Sequence, residues 1–133
     1  MKLLVDHNIS YRAAHAVHAL YEPEHQVIAL RDKFSPDISD IEYIQALDAE
    51  GGWAVLTCDK GIRNKPAERA ALLKSKLTFF FLAPAWQGFT VPEQAARMIR
   101  SLPKMIQFFE LVTGGALVEL PINPGSRLRP FKI

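Results

Sequence analysis

The chain has a single cysteine, Cys58, among its 133 residues. An intramolecular disulfide is therefore impossible, and a zinc site built on several cysteines is excluded because the ligands are missing. Long hydrophobic runs are also lacking. The longest, residues 77–86, is well short of the roughly 18 to 20 residues that a membrane-spanning helix needs. These absences predict a cytoplasmic protein with no membrane segment.

A secretory leader is not expected either, because the first hydrophobic strand begins at Lys2, directly after Met1. Glycine is missing from the turn that follows this strand, residues 6–9, which argues against a dinucleotide-binding module. The net charge is only +2, but the segment between Asp59 and Leu77 is strongly basic. Its cations are Lys60, Arg63, Lys65, Arg69, Lys74 and Lys76. This segment is either a binding surface for a polyphosphate backbone or an ordinary solvated surface.

Apolar runs and helical patterns alternate along the chain. The predicted strands are residues 3–6, 25–30, 53–57, 77–82 and 116–120. The predicted helices are residues 9–20, 40–50, 66–75 and 92–112, the last kinked or split at Pro103. This alternation predicts an α/β domain over residues 1–120, with a mostly parallel sheet of about five strands flanked by helices. Residues 121–133 are predicted to form an irregular basic tail that is mobile or docks on a partner.

Three acidic residues lie where predicted strands end or where a helix begins: Asp6, Asp40 and Asp59. The carboxyl ends of neighbouring parallel strands share one crevice, so these carboxylates can converge although they are far apart in sequence. Oxygen ligands of this kind suit Mg²⁺ or Mn²⁺, which two or three carboxylates commonly hold together with substrate phosphate oxygens. Each acid also has a structural explanation, as a helix cap, a turn residue or a partner of a helix dipole.

Three motifs together resemble those of the PIN-like ribonuclease domains, and in particular the small branch found in toxins of bacterial toxin–antitoxin pairs. They are Leu-Leu-Val-Asp-His-Asn-Ile-Ser at residues 3–10, Ser-Asp-Ile-Glu-Tyr-Ile at 39–44 and Val-Leu-Thr-Cys-Asp-Lys at 55–60. The resemblance covers about residues 1–82 and implies a PIN-like three-layer sandwich. It also implies a Mg²⁺- or Mn²⁺-dependent endoribonuclease, with Asp6, Asp40 and Asp59 as catalytic metal ligands.

The same resemblance suggests accessory roles for Asn8, Glu42 and Lys60. Glu42 is explained at least as well by a capping box with Ser39. Phosphate contacts are plausible for Lys60, and for Arg63 and Lys65 as RNA-binding residues, although a solvated surface role is equally plausible for each. One departure is that residues 82–86 contain no acid, whereas fuller members of the family have an Asp there. This departure argues against a second tightly held metal.

The partners implied by the resemblance are an RNA substrate, a cognate antitoxin and a second copy of the chain in a homodimer. Two other enzyme classes fit poorly. A phosphorelay receiver needs a hydroxyl residue after the fourth strand and a lysine after the fifth, and a haloacid-dehalogenase-type phosphatase needs an acid where Asn8 stands. The alternative that remains open is a non-catalytic PIN-like module that binds RNA or protein.

Overall fold

All five predicted strands pair into one sheet in the computed structural model, which describes residues 1–132. The strands are β1 (Lys2–Val5), β2 (Gln26–Ala29), β3 (Trp53–Thr57), β4 (Thr78–Leu82), β5 (Ala116–Leu120) and β6 (Arg129–Pro130). Their order across the sheet is β2-β1-β3-β4-β5-β6. The first five strands are parallel and β6 is antiparallel to β5. The predicted mostly parallel α/β architecture is therefore confirmed.

Helices connect the parallel strands. They are α1 (Tyr11–Tyr21), α2 (Leu30–Lys33), α3 (Asp40–Glu50), α4 (Pro66–Lys74) and α5 (Val91–Leu111), with short 3-10 helices at Lys60–Asn64 and Pro84–Gly88. Of the two predicted outcomes at Pro103, a kink or a split, the split is wrong, since α5 continues through this residue. Pro103 is exposed, while Met98, Leu102 and Met105 before and after it are buried. Packing of this apolar stripe offsets the backbone hydrogen bond that proline cannot make.

Local capping explains where several helices begin. The Ser39 hydroxyl accepts a hydrogen bond from the Glu42 N–H at 3.1 Å, and Glu42 Oε1 accepts one from the Ser39 N–H at 3.2 Å. This is the predicted capping box, and it satisfies two backbone donors at the start of α3. Ser10 caps α1 by accepting a hydrogen bond from the Arg12 N–H at 3.2 Å. Gly51 ends α3 with a φ of 78°, which favours glycine.

Two hydrophobic layers lie on opposite faces of the sheet. Side chains of neighbouring strand residues point to opposite faces, so Leu3 and Val5 of β1 pack toward α1 and α5. Leu4 packs on the other face, toward α3 and α4. Every residue of β3 and β4 is buried, as expected for central strands covered on both sides. No helix within residues 1–132 has the length and apolar character needed to cross a membrane.

The end of the chain differs from the prediction of an irregular tail. Arg129–Pro130 forms β6, which pairs with Val118 and Glu119 of β5. Phe131 is 5% exposed, and its ring lies 3.9 Å from that of Phe81 between ring centroids. Residues 121–128 contain no helix or strand, as predicted. The prediction fails at Arg129–Pro130 because a two-residue strand is too short to show an alternating pattern. A single buried aromatic side chain instead attaches it to the sheet.

The direction in which successive strands are added to the sheet reverses at β1. The chain leaves β1 toward β2 on one side, and β3 lies on the other side of β1. In open parallel sheets, a crevice forms at the carboxyl ends of the two strands where the order reverses. Here these strands are β1 and β3. Helices that connect parallel strands run back across the sheet, so α3 and α4 both begin near this carboxyl edge.

Candidate functional site

Asp6 lies at the carboxyl end of β1 and is 7% exposed. Its Oδ1 accepts a hydrogen bond from the His7 N–H at 2.7 Å, and its Oδ2 accepts one from the Thr57 hydroxyl at 2.8 Å. Each carboxylate oxygen has a further lone pair, so these bonds orient the group without using all of its acceptor capacity. Asp6 is therefore a buried carboxylate held in a fixed orientation.

Thr57, the last residue of β3, connects Asp6 to Asp59. The same hydroxyl that donates to Asp6 accepts a hydrogen bond from the Asp59 N–H at 2.9 Å. Asp59 Oδ1 then accepts a hydrogen bond from the Gly61 N–H at 3.0 Å and caps the 3-10 helix at Lys60–Asn64. The two acids that follow β1 and β3 are thus joined through one buried threonine.

Asp40 and Glu68 bring two further carboxylates from the first turns of α3 and α4. Partial burial raises the pKa of Asp40 to about 6, helped by the negative charges of Asp6, Glu68 and Asp59, while Lys65 acts in the opposite direction. A helix N-terminus ordinarily lowers the pKa of an acid. The raised pKa of Asp40 shows that desolvation and the neighbouring carboxylates outweigh this effect.

Glu68 has one carboxylate oxygen, Oε2, that is buried and makes no hydrogen bond within residues 1–132. The nearest cation is the Lys65 ammonium, whose Nζ lies 3.7 Å from that oxygen. The Lys65 side chain is itself 61% exposed, so this ion pair is weak. Glu68 therefore brings an unsatisfied oxygen to the acidic group.

Tyr43 lies beneath the four carboxylates, one helical turn after Asp40. The residue is 1% exposed. Burial raises the pKa of its phenol well above the usual value, and the charges of Asp6, Asp40, Asp59 and Glu68 raise it further. The charges of Asp6, Asp59 and Glu68 thus raise the pKa of two groups, Asp40 and Tyr43. We call Asp6, Asp40, Asp59 and Glu68 the acidic cluster.

The acidic cluster is close enough for mutual repulsion but does not converge on one point. Among residues 1–132, no three His, Cys, Asp or Glu side chains stand close enough together to hold one metal ion at the same time. Charge interactions extend several ångströms beyond the length of a metal–ligand bond. The mutual repulsion of the acids and the lack of a common metal-binding point are therefore both consistent with carboxylates that surround a crevice.

A family model described as a PIN-like domain matches residues 1–84, which include β1 to β4 and the whole acidic cluster. The chain belongs to the PIN-like domain family. No match was found among curated proteins or among solved structures.

Asn8 has a structural role in this PIN-like domain. Its Oδ1 accepts a hydrogen bond from the Cys58 N–H at 3.0 Å, which joins the segment after β1 to the segment after β3. Glu42 is exposed, and its carboxylate completes the capping box of α3. The structure therefore assigns each of these two predicted accessory residues a contact of its own outside the acidic cluster.

The predicted basic residues are dispersed. Lys60 Nζ lies 3.5 Å from Glu119 Oε1. Arg63 donates a hydrogen bond to the Lys132 carbonyl oxygen at 3.4 Å, and its guanidinium lies 5.4 Å from the centre of the Phe131 ring. Of the three, Lys65 is the one beside the acidic cluster. It pairs with Glu68, and its charge lowers the pKa of Asp40.

Sequence reasoning missed Glu68, Thr57 and Tyr43 as parts of the site. Glu68 was hidden in a segment that reads as basic, although its position in the first turn of a helix matches that of Asp40 and could have suggested it. Thr57 belongs to the motif at residues 55–60, but its two hydrogen bonds depend on contacts 51 positions apart in sequence. Nothing in the local pattern distinguishes Tyr43 from an ordinary core aromatic.

Cys58, which follows Thr57, is not suited to nucleophilic chemistry. Burial raises the pKa of its thiol to about 11, and the charge of Asp6 adds to this effect. The thiolate is the reactive form, so this cysteine is almost entirely unreactive thiol at neutral pH. The chemistry available at the site is therefore that of carboxylates.

Proposed function

We propose that this PIN-like domain is a metal-dependent endoribonuclease that hydrolyses RNA phosphodiester bonds at the acidic cluster. The observation that supports the proposal is that four separate elements supply neighbouring carboxylates, and that burial together with the charges of the other three raises the pKa of Asp40 to about 6. Mutually repelling acids are unfavourable for stability. Their accumulation at the topological switch point of an α/β sheet is typical of a functional site.

The chemistry of the donor set fits a hard divalent cation. Within residues 1–132 no three of these side chains can hold one ion directly, so part of the set would bind the cation through water, as is common for Mg²⁺. All four groups are carboxylates, the ligands that Mg²⁺ and Mn²⁺ prefer. Glu68 Oε2 is a buried oxygen without a hydrogen-bond donor, which a cation would satisfy. We propose Asp6, Asp40 and Asp59 as the principal ligands, as the motifs suggest, and add Glu68. When bound, a divalent cation supplies charge that stabilises the transition state and lowers the pKa of a water molecule.

The residues of the chain have distinct tasks in this proposal. Thr57 fixes the relative orientation of Asp6 and Asp59 through its two hydrogen bonds. Asp40, whose pKa is raised to about 6 in the metal-free protein by burial and the neighbouring acids, would hold the cation in its ionised form. Lys65, exposed beside Glu68, contacts a phosphate of the bound strand. Tyr43 closes the crevice from below and excludes water from that side.

The test is cleavage of a mixed set of labelled RNAs by the purified protein in Mn²⁺, Mg²⁺ or EDTA. We expect cleavage that requires the metal and that falls at least about a hundredfold in Asp59→Asn. Asparagine can still accept the hydrogen bond from Gly61, so the local turn should persist. Asp59→Asn is therefore a better probe than Asp6→Asn, which would disturb the buried bond to Thr57.

Asp48→Asn is the matched control. Asp48 also accepts one backbone hydrogen bond, from the Lys76 N–H at 2.8 Å, but lies near the end of α3 away from the acidic cluster. The control should cleave like the unmodified protein, and loss of cleavage in Asp59→Asn purified in the same way excludes a contaminating nuclease. If the unmodified protein and Asp59→Asn are equally inactive in every metal, the non-catalytic binding module becomes the better interpretation. Cleavage that persists in Asp59→Asn contradicts the proposed mechanism.

We also propose that the biological role is that of a toxin held inactive by a cognate antitoxin. This role rests on the resemblance of the three motifs to the small toxin branch. Expression of the unmodified chain should arrest growth of a bacterial host, whereas Asp59→Asn should be tolerated at the same protein level. An adjacent small gene for a DNA-binding protein, with a product that restores growth, would support the toxin role. Growth arrest that is equal for both chains would contradict it.

A further inference from the structure

A pocket of about 130 Å³ opens beside Asp6, on the side of the site away from β3. It is lined by the ends of β1 and β2, the first residues of α1 and the start of α2. Asp6 belongs both to the wall of this pocket and to the acidic cluster. Anything that fills the pocket therefore lies next to the proposed site of cleavage.

An aromatic and cationic pair forms part of the wall. The Arg31 guanidinium carbon lies 4.0 Å from the centre of the Tyr11 ring. Tyr11 also makes an edge-to-face contact with His15, at 5.5 Å between centroids, so two neighbours orient its ring. Yet Tyr11 remains 39% exposed, and Arg31 makes no salt bridge with any carboxylate in the described part of the chain. The pair is therefore accessible to a ligand, and the Arg31 guanidinium has N–H donors that no carboxylate occupies.

The size of the pocket limits what it can hold. A cavity of about 150 Å³ in an apolar core admits a benzene ring, so a pocket of about 130 Å³ fits one six-membered ring. A purine has an additional fused ring, part of which would have to extend out of the open mouth of the pocket. The wall contains polar groups as well, including His7 and Ser10, which suits a heterocycle better than a purely apolar ring.

We infer that this pocket holds the pyrimidine base of the nucleotide next to the cleaved phosphodiester. The inference rests on the proposed nuclease function for its connection to cleavage. The base stacks against the Tyr11 and Arg31 pair, as unpaired bases do on aromatic rings and guanidinium planes. The pocket thus favours pyrimidines, whose single ring it can hold entirely, over purines.

The test uses nucleosides, which contain no phosphate and are not repelled by the acids. Uridine, cytidine and adenosine are titrated into the full chain in EDTA, with amide resonances followed by NMR. Uridine and cytidine should shift the resonances of Ser10, Tyr11 and Arg31, with adenosine at least about tenfold weaker. Tyr11→Ala and Arg31→Ala should each weaken uridine binding about tenfold. Arg12→Ala, an exposed neighbour outside the pocket wall, is the matched control and should bind normally.

Cleavage mapping on RNA of mixed sequence in Mn²⁺ is the second measurement. The unmodified protein should cut beside pyrimidines, and Tyr11→Ala should lose this preference while still cutting. The two proposals fail in different ways. Absence of cleavage refutes the nuclease function, whereas nucleoside binding is read without metal or catalysis. The pocket assignment is overturned if adenosine binds as well as uridine, if the shifts lie elsewhere, or if Tyr11→Ala binds uridine unchanged.

Discussion

Among single residues, Asp40 couples the site to pH. Its pKa is raised from the ordinary value of 3.8 to about 6, first by burial and then by the charges of Asp6, Glu68 and Asp59. The folded protein therefore holds a proton that the unfolded chain has already lost between these two pH values. The stability gained from this proton is complete below about pH 3.8 and is lost as the pH rises through about 6.

Asp40→Asn should remove this pH dependence. The variant should be more stable than the unmodified protein at pH 7.5 by about 1 kcal/mol, since solvent screening at a half-exposed carboxyl reduces the full linkage value. At pH 4 the two proteins should differ little. Urea unfolding in EDTA at pH 4, 6 and 7.5 measures the effect. Parallel stability curves for the two proteins over this range would contradict the assignment.

Thr57 is predicted to be the structural link between the acids. Thr57→Val removes the hydroxyl and leaves Asp6 Oδ2 and the Asp59 N–H without their partner. The expected loss of stability is about 2 kcal/mol, because an unsatisfied buried polar group costs about 1–3 kcal/mol. Thr78→Val is the control. Thr78 is also buried, but it is the first residue of β4 and lies at the edge of the sheet opposite to Thr57. Equal losses in the two variants by urea unfolding would argue against a special role for Thr57.

The sequence predicted the residues of the site unevenly. Asp6 and Asp59 could be proposed because each lies at the end of an apolar run that the sequence identifies as a strand. Glu68 was missed because its neighbours on the chain are basic, and only its place in the first turn of a helix could have suggested it. The contacts that the predicted residues make were harder still to predict. Arg63 contacts Phe131, 68 positions away, and this contact depends on how the tail folds.

At the scale of elements, the prediction concerns the packing of the tail on the sheet. Phe131 is 5% exposed and stacks on Phe81, and its N–H donates to the Leu117 carbonyl oxygen at 2.9 Å. Phe131→Ala should destabilise the fold by about 3 kcal/mol, in the range for removal of a buried aromatic side chain. Lys132→Ala, at an exposed neighbouring position, should change stability by less than about 0.5 kcal/mol. A thermal or urea unfolding series measures both.

A small effect of Phe131→Ala would mean that β6 is not part of the cooperative fold. Arg63 gives an independent readout, because its guanidinium loses the ring it lies against. Because this contact is lost, hydrogen exchange in the 3-10 helix at Lys60–Asn64 should increase in Phe131→Ala and not in Lys132→Ala. Unchanged exchange in both variants would show that this contact does not order the segment.

Elements were predictable where the sequence pattern was long enough. β3 and β5 have the predicted bounds, since each is an apolar run between turn residues. The capping box located the start of α3 because capping is a local interaction. α2 has four residues and β6 has two, so each spans about one period of its pattern, too little to show a repeat. Both depend on tertiary contacts that only the folded chain provides.

For the whole molecule, a bound divalent cation should raise stability through mass action. At a free Mn²⁺ concentration of about a hundred times Kd, the free energy of unfolding should increase by about 2.7 kcal/mol. Urea unfolding in Mn²⁺ and in EDTA gives this difference without any assay of activity. Asp59→Asn should lose most of the increase and Glu68→Gln part of it, while Asp48→Asn should keep it. An equal increase in all four proteins would place the cation outside the acidic cluster.

Without β6, strand β5 would have an unpaired outer side and could pair with a strand of another molecule, which is a common route to aggregation. In the folded protein, β6 covers this side and presents two exposed residues, one of them Pro130, which has no N–H to donate. Arg129 adds a positive charge at the same place. The segment that completes the core thus also keeps neighbouring molecules from extending the sheet, so loss of Phe131 packing would first be seen as reduced solubility at high concentration.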